Sequence, residues 1–243
     1  MHKSKLLKLA FFGLFLFSFS QSIAQRDVQR DNFIWVTYSL TKPLNNGLSL
    51  GFMVQSRRYA FPDRQHQLLG GPKVTKRFDS NIVLGGGFIY FRQALPVSRG
   101  EVDLVRPELR PFQEIGITND IGEWSVGHRL MVEERWFRET EGNELVDGYF
   151  FQVRVRYRLM LQRALGKSER LKAVISNELM VQGADPEITN IFDQNRFYAG
   201  FKLKQSDRIS IDAGYMYWYQ QFPDITSFAS FHIINLALTH TLK

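Results

Sequence analysis

The sequence predicts an all-β fold, a single antiparallel up-and-down transmembrane β-barrel of about 10–12 strands. Three features predict it: a signal-like first segment, apolar and polar residues that alternate along most of the chain, and strands long enough for a bilayer. The alternation is strongest in FFQVRVRYRLML, where one face is apolar and the other carries Arg154, Arg156 and Arg158. A period of two indicates a strand with two different faces.

The first element, residues 1–24, has the three parts of a secretory signal peptide. Three lysines form a positive start, residues 9–19 are apolar, and a small-x-small pattern ends at Ala24. The apolar stretch is too short to span a bilayer comfortably, although a first transmembrane helix is the alternative. We therefore expect export through a cleaved signal peptide, followed by one barrel domain, residues 25–243, in the outer membrane of a Gram-negative bacterium.

The charge and the absence of cysteine exclude several classes of protein. Loss of residues 1–24 removes three lysines and no carboxylate, so the formal charge falls from +7 to +4. This modest basic excess does not favour nucleic acid as a partner. A chain without cysteine cannot form disulfides, thiolate metal sites, a cysteine nucleophile or a lipid anchor at an N-terminal cysteine. The expected partners are outer-membrane lipid and the outer-membrane assembly machinery.

Eleven segments of the chain are predicted strands. They lie near residues 33–41, 47–57, 66–77, 82–92, 106–118, 123–137, 149–163, 171–181, 194–205, 208–220 and 229–242. In NFIWVTYSL one face carries Ile34, Val36 and Tyr38, and the last segment places Leu236 and Leu238 against Asn235 and Thr239. The segments between them alternate in the same way, and none has the apolar spacing of a long helix.

Strand length and two tryptophans fit a membrane. A membrane-spanning strand needs roughly 9–11 residues at a steep tilt, and most of the predicted strands reach that length. Trp124 and Trp136 lie on the same apolar face of one strand. At about 3.3 Å per residue their separation climbs roughly 30 Å at a tilt near 40°. This separation would place one tryptophan at each membrane interface.

The connections between the predicted strands alternate in length. KPLNN, FDSN, NDIG, LGKSER and QSD are short, whereas YAFPDRQ, QALPVSRGEVDLV, RETEGNELVD, QGADPEITNIFD and QFPDITS are longer and mostly polar. Short turns at one end and long loops at the other are typical of outer-membrane barrels. RETEGNELVD is thus expected to be a long acidic loop on the outer side, and the C-terminus to be periplasmic.

In a membrane barrel the charged faces of the strands point into the lumen. By parity the lumen carries eleven basic residues and five carboxylates, so arginine–carboxylate ladders are expected to cross it. The candidate lumen or binding residues are Arg154, Arg156, Arg158, Arg129, Glu133, Arg135, Arg110, Glu114, Glu178 and Arg196.

The charged lumen allows more than one function. If it holds water, its positive excess would make the protein a small anion-preferring channel, or would hold small anionic solutes at the arginine-rich seventh strand. If the ladders close it, the protein is a plugged structural barrel that presents its outer loops to a partner. A soluble periplasmic β-barrel that binds an apolar ligand is a further alternative.

Five motifs, in order, resemble a known family: NFIWVTYSL, HRLMVEERWF, FQVRVRYRL, NELM and NRFYAGF. They are similar to the domain-of-unknown-function 2490 family, which comprises exported proteins of Gram-negative bacteria. The resemblance covers nearly the whole chain after the signal and implies an outer-membrane barrel. It supplies no catalytic residue.

No catalytic or cofactor motif is found in the sequence. LGGGF, residues 84–88, lies within a predicted strand without a following helix, so it is not a phosphate-binding loop. G-x-S-x-G and H-E-x-x-H are absent. His232 and His240 lie about 27 Å apart along one strand, too far to share a metal. We therefore predict no enzyme activity, no cofactor and no metal.

Three features of the sequence depart from an ordinary bacterial barrel. Eleven is an odd number of strands, and it starts the first strand on the outer side when the C-terminus is periplasmic. Pro72, Pro107 and Pro111 fall within predicted strands, where a bulge or a shorter strand is expected. The chain ends in Leu242 and Lys243 without the aromatic residue that is common at the end of outer-membrane proteins.

Overall fold

The computed structural model describes residues 28–78, 81–95, 104–183 and 190–243. These residues form one closed barrel of eleven strands. The predicted all-β fold is confirmed, and each predicted strand overlaps an observed one. The predicted signal peptide, residues 1–24, lies outside the described residues and stays a prediction.

The strands contain between 12 and 22 residues. In chain order they are β1 (Val28–Pro43), β2 (Leu48–Tyr59), β3 (Arg64–Arg77), β4 (Ile82–Leu95), β5 (Leu104–Ile121), β6 (Trp124–Glu141), β7 (Glu144–Leu165), β8 (Leu171–Gly183), β9 (Phe192–Lys204), β10 (Ile209–Gln221) and β11 (Phe228–Thr241). A short 3-10 turn, Asn45–Gly47, joins β1 to β2. No helix in the described part of the chain has the length and apolar character that crossing a membrane requires.

One parallel strand pair accommodates the odd strand number. Consecutive strands pair antiparallel, and β1 closes the barrel by running parallel to β11, with Val28 opposite Phe228 and Thr41 opposite Thr241. The predicted antiparallel barrel is therefore confirmed for ten of the eleven strand pairs, and this seam is the parallel one. The physical reason is the count, because the first and last of eleven alternating strands run in the same direction.

The two ends of the barrel can be distinguished by their connections. The upper mouth carries the start of β1 and the connections at 60–63, 142–143 and 222–227. The lower mouth carries the end of β11 and the connections at 44–47, 122–123, 166–170 and 205–208. By the strand bounds, the connections at the upper mouth contain two to eight residues and those at the lower mouth two to five, so the longer connections lie at the upper mouth, as predicted.

The stretch RETEGNELVD is a hairpin instead of the predicted long loop. β6 continues to Glu141 and β7 begins at Glu144, so only two residues turn the chain. At the tip, β6 and β7 pair only with each other. The pairing of β5 with β6 ends at Phe137, and the pairing of β8 with β7 begins at Val153. Both faces of such a projecting hairpin can meet water. The apolar alternation that predicts a strand is therefore absent there.

The three prolines within strands lie where one ladder of hydrogen bonds is interrupted. Pro72 lies in a two-residue gap in the pairing of β3 with β4, and Pro111 lies in a similar gap between β5 and β6. Pro107 comes one residue before the pairing of β5 with β6, which begins at Glu108. The register is the same on both sides of each gap, so the prolines are tolerated by missing pairs and not by the expected bulge.

The outward face of the barrel carries exposed apolar side chains on every strand. Exposed examples, one from each strand in order, are Val36, Phe52, Val74, Tyr90, Ile115, Leu130, Tyr157, Leu179, Phe201, Tyr215 and Leu236. Trp124 and Trp136 are also exposed, as parity predicts. Three outward histidines each share a hydrogen bond with a tyrosine of the neighbouring strand: His128 with Tyr157, His232 with Tyr215 and His240 with Tyr38.

Candidate functional site inside the barrel

The centre of the interior is built around one buried carboxylate, Glu133 on β6. Arg154 and Arg156 both point inward from β7 because they lie two residues apart on a strand. The Nε of Arg154 donates to Oε2 of Glu133 at 2.6 Å, and Nη1 of Arg156 donates to Oε1 at 2.8 Å. Glu133 has 0% of its surface exposed. Charge-assisted hydrogen bonds at both oxygens compensate for the water it has lost.

Towards the lower mouth, the pairing continues through a second carboxylate. Nη2 of Arg156 donates to Oε2 of Glu178 at 2.7 Å, and Arg129 donates to the other oxygen of Glu178. Arg129 also lies 3.6 Å from Glu114, which accepts a hydrogen bond from Lys73. Each carboxylate therefore lies between two cations, and each of these arginines lies between two carboxylates.

Towards the upper mouth, Glu108 forms the corresponding junction. Its Oε1 accepts hydrogen bonds from Nε of Arg110 at 2.7 Å and from Nε of Arg135 at 2.9 Å. Arg110 also lies 3.6 Å from Glu133, which joins this junction to the central one. Nη1 of Arg154 reaches Asp193 of β9 at 3.2 Å. The connected groups, which we call the ion-pair network, come from β3, β5, β6, β7, β8 and β9.

The ion-pair network contains eight of the ten candidate residues. These are Arg110, Glu114, Arg129, Glu133, Arg135, Arg154, Arg156 and Glu178. The predicted arginine–carboxylate ladders are therefore present. Arg158 and Arg196 also lie on the inward face, but neither forms an ion pair with a carboxylate in the described part of the chain.

Two cavities lie on opposite sides of the ion-pair network. The upper cavity has a volume of about 350 Å³ and opens among Tyr59, Gln93, Gln182 and Phe222 at the upper mouth. The lower cavity has a larger volume, about 850 Å³, and is lined by side chains of the lower mouth. Its basic residues include Lys172, Lys202 and Lys204, with Glu169 and Asp207 as acidic neighbours.

The upper cavity is the more enclosed and the more strongly basic of the two. Its arginines are Arg57, Arg106, Arg110, Arg135, Arg154 and Arg196. Asp193 is the only carboxylate among its described lining residues. No group of histidine and carboxylate side chains in the described ranges could hold a metal ion. The cavity can therefore act through positive charge and hydrogen-bond donors.

Several residues of the interior were not singled out from the sequence. Asp193 falls within a stretch that reads as a loop, where strand parity does not apply, and a register shift lies nearby in the pairing of β8 with β9. Trp35 points inward, although Ile34 and Val36 beside it form the outward apolar face. Both faces of β1 are apolar at this level. Alternation alone could not show which side carries the site.

Comparison with known proteins identifies the chain. The family model described as "Protein of unknown function (DUF2490)" matches residues 32–228. The chain belongs to this family. The match begins in β1 and ends at the start of β11, so it covers most of the barrel and the whole ion-pair network. A search of curated proteins finds no match to this DUF2490 chain.

Proposed function

We propose that this DUF2490 protein is an outer-membrane β-barrel whose interior is closed by its own ion pairs. The proposal rests on the contrast between the outward and the inward face of the barrel wall. Apolar side chains are exposed on all eleven strands, whereas the charged side chains of the candidate site are turned inward, and eight of the ten form ion pairs. A soluble monomer rarely exposes an apolar patch of more than a few hundred Å², but a barrel in lipid needs an apolar band around its whole circumference.

The interior supports a closed barrel over an open pore. Glu108, Arg110 and Arg154 have 1%, 3% and 3% of their surface exposed, so the centre of the network is tightly packed. Removing one partner from a buried ion pair costs about 3–5 kcal/mol. Opening a path here would break several pairs at once. Eleven strands also give a width between the filled eight-stranded and the open sixteen-stranded barrels.

The same interior disfavours the soluble alternative with an apolar ligand. Both cavities are lined mainly by charged and amide side chains. An apolar ligand would gain little from entering them, because their polar groups would lose water without new partners. An apolar surface that needs covering is found on the outside of the wall.

A second candidate function is an anion-preferring channel. Arg57, Arg158 and Arg196 face inward without an ion pair to a described carboxylate, so the interior keeps a positive excess. If the ion-pair network moved aside, this excess would attract anions and repel cations. The two candidates share one location and differ in whether the centre opens.

Cell fractionation tests the location that both candidates share. We expect the protein in the outer-membrane fraction, and we expect its mobility on a denaturing gel to change when the sample is heated. Recovery from the soluble periplasmic fraction without detergent would refute the membrane proposal.

Planar-bilayer recording with unequal salt on the two sides separates the candidates. A closed barrel gives no steady conductance. A steady anion-selective current that weakens in Arg158→Gln would instead establish the channel. A cation-selective current contradicts both, because no cationic lining could produce it.

A further inference from the structure

The upper cavity contains two buried arginines that the ion-pair network leaves out. Arg57 of β2 and Arg196 of β9 have 8% and 7% of their surface exposed. Their charged hydrogen-bond partners are absent among the described residues: Arg57 donates to Gln55 and Gln67, and Arg196 donates to Gln194. Buried charges in proteins are ordinarily paired with an opposite charge. The hydrogen bonds of these two guanidinium groups go to neutral amides.

Both guanidinium groups lie against the same indole ring. The central carbon of Arg57 is 3.9 Å from the ring centre of Trp35, and that of Arg196 is 5.1 Å from it. Arg196 also lies 4.8 Å from the ring of Trp218. A cation–π contact holds a cation in place, but it leaves the charge uncompensated. The indole rings thus fix the positions of two like charges side by side.

Buried polar atoms without partners lie around these two arginines. The Nε of Arg196, the Nε1 of Trp218 and the Nδ1 of His66 are buried and have no hydrogen-bond partner among the described residues. All three side chains line the upper cavity, as do Arg57 and Arg196. Buried polar groups without partners are rare in folded proteins and require an explanation. A ligand that brings acceptor oxygens would satisfy the donors and neutralise the charges.

The neighbouring wall of the cavity is aromatic. Phe33, Trp218 and Phe231 belong to one buried cluster and line the cavity, and Tyr59 packs against them. Phe33 meets Phe231 edge to face, with ring centres 5.1 Å apart. An inorganic anion alone would leave this wall unused. A ring or another apolar group attached to the anion would bury apolar surface against it.

We propose that the upper cavity is a binding site for a small organic anion. The acidic group of the ligand lies between Arg57 and Arg196, and its ring or other apolar part lies against Phe33 and Phe231. The volume of about 350 Å³ is at the lower end of the range for small-molecule sites. The site does not depend on a membrane or on an open pore, so it can be tested in detergent solution.

The first test compares two ligands of nearly the same shape in titration calorimetry. Phenylacetate carries a negative charge at neutral pH, and phenylacetamide is its neutral counterpart. We expect saturable binding of phenylacetate, at least about tenfold tighter than that of phenylacetamide, because a hydrogen bond to a charged group contributes more than a neutral one. Equal affinity for the two, or no binding of phenylacetate up to its solubility limit, overturns the proposal.

The second test uses variants of the two arginines. Arg57→Gln and Arg196→Gln should each weaken phenylacetate binding about tenfold or more. Arg163→Gln is the matched control, because Arg163 pairs with Glu123 at the lower mouth, away from the cavity. An unchanged affinity in Arg57→Gln and Arg196→Gln contradicts the site. If either variant fails to fold, the comparison of the two ligands on the unaltered chain still decides.

The intrinsic fluorescence of the chain supplies an independent readout of where the ligand binds. The chain has four tryptophans; Trp124 and Trp136 are exposed on the outward face, whereas Trp35 and Trp218 are buried beside the arginines. In the double variant Trp124→Phe, Trp136→Phe, phenylacetate should change the remaining emission at the concentrations that saturate the calorimetric signal. Unchanged emission at saturation places the ligand elsewhere and overturns the assignment.

Discussion

At the scale of single residues, two neighbouring glutamates have opposite surroundings. Glu133 is fully buried between Arg154 and Arg156, whereas Glu134 faces outward and has only a long 3.5 Å hydrogen bond from Gln113. The alternation of a strand alone produces this difference. The same substitution at the two positions therefore separates the buried pairing from any general effect of losing a carboxylate.

We expect Glu133→Gln to lower the free energy of unfolding by about 3–5 kcal/mol, because it leaves two buried arginines without their shared anion. Glu134→Gln should change it by less than about 1 kcal/mol. Urea titration in detergent, followed by heat-modifiable gel mobility, measures both. Similar losses in the two variants would show that the ion-pair network adds no particular stability.

The seventh strand tests the two faces of the wall. Val155→Arg places a charge on the outward face and should cost about 2–4 kcal/mol if that face meets the middle of a bilayer. Arg158→Gln should cost less than about 1 kcal/mol, because Arg158 lacks an ion pair with a described carboxylate and lies opposite the like charge of Arg129. Folding into lipid vesicles under urea gives both values. The reverse order would contradict the assignment of the faces.

Strand parity alone does not distinguish one inward arginine from another. The structure distinguishes them, since Arg156 bridges Glu133 and Glu178 while Arg158 bridges nothing comparable among the described residues. Parity gives the direction of a side chain. It does not give the distance across the barrel that decides which charges meet.

At the scale of elements, two short turns mark the two mouths. The turns at 122–123 and 142–143 each contain a glycine with a positive φ, +61° at Gly122 and +59° at Gly142. A Cβ added at either glycine would meet nothing within 4 Å. Both turns are therefore open to solvent, and we expect both to accept an inserted epitope.

If the lower mouth is periplasmic, an epitope inserted after Gly142 should be accessible to antibody on intact cells. The same epitope after Gly122 should become accessible only once the outer membrane is permeabilised. Immunofluorescence of the two insertion variants measures the difference. Labelling at Gly122 but not at Gly142 on intact cells would reverse the orientation.

The parallel seam can be examined directly, because the chain has no cysteine of its own. Val36 of β1 lies opposite Leu236 of β11. The variant Val36→Cys, Leu236→Cys should therefore be cross-linked by a short thiol-reactive linker, which shifts its mobility on an unfolded gel. The pair Val36→Cys, His232→Cys is the control, since His232 lies four residues away along the same strand and opposite Asn32. Cross-linking of the control alone would refute the register.

At the scale of the whole molecule, the sequence predicts the barrel well because each strand has one face towards the interior and one towards the outside. Period-two alternation places each strand, and the observed strands agree with it. It fails at the projecting hairpin of β6 and β7, where both faces can meet water. The alternation also describes β1 poorly, because Phe33 and Trp35 make the inward face of that strand apolar too. Alternation needs a contrast between faces, and these segments lack it.

The candidate site was predicted in part. The residue types and the inward direction of Arg154, Glu133 and Glu178 follow from parity, and the structure joins them in one network. Arg196 was among the predicted residues, but the lack of an ion pair at Arg57 and Arg196 could not be predicted. Their isolation depends on which strands lie opposite each other around the barrel, and no local pattern contains that information.

The parallel seam between β1 and β11 also determines how the chain must fold. Residue 28 pairs with residue 228, whereas the other strand pairs join neighbours in the sequence. Such a contact between distant residues is slow to form, because the entropy of ordering a long chain is lost before the contact is gained. Ten hairpin-type pairings can form while the chain is still an open sheet with two free edges, which are sites of aggregation. We expect closure to be the final step, so that both edges stay unpaired until β11 arrives beside β1.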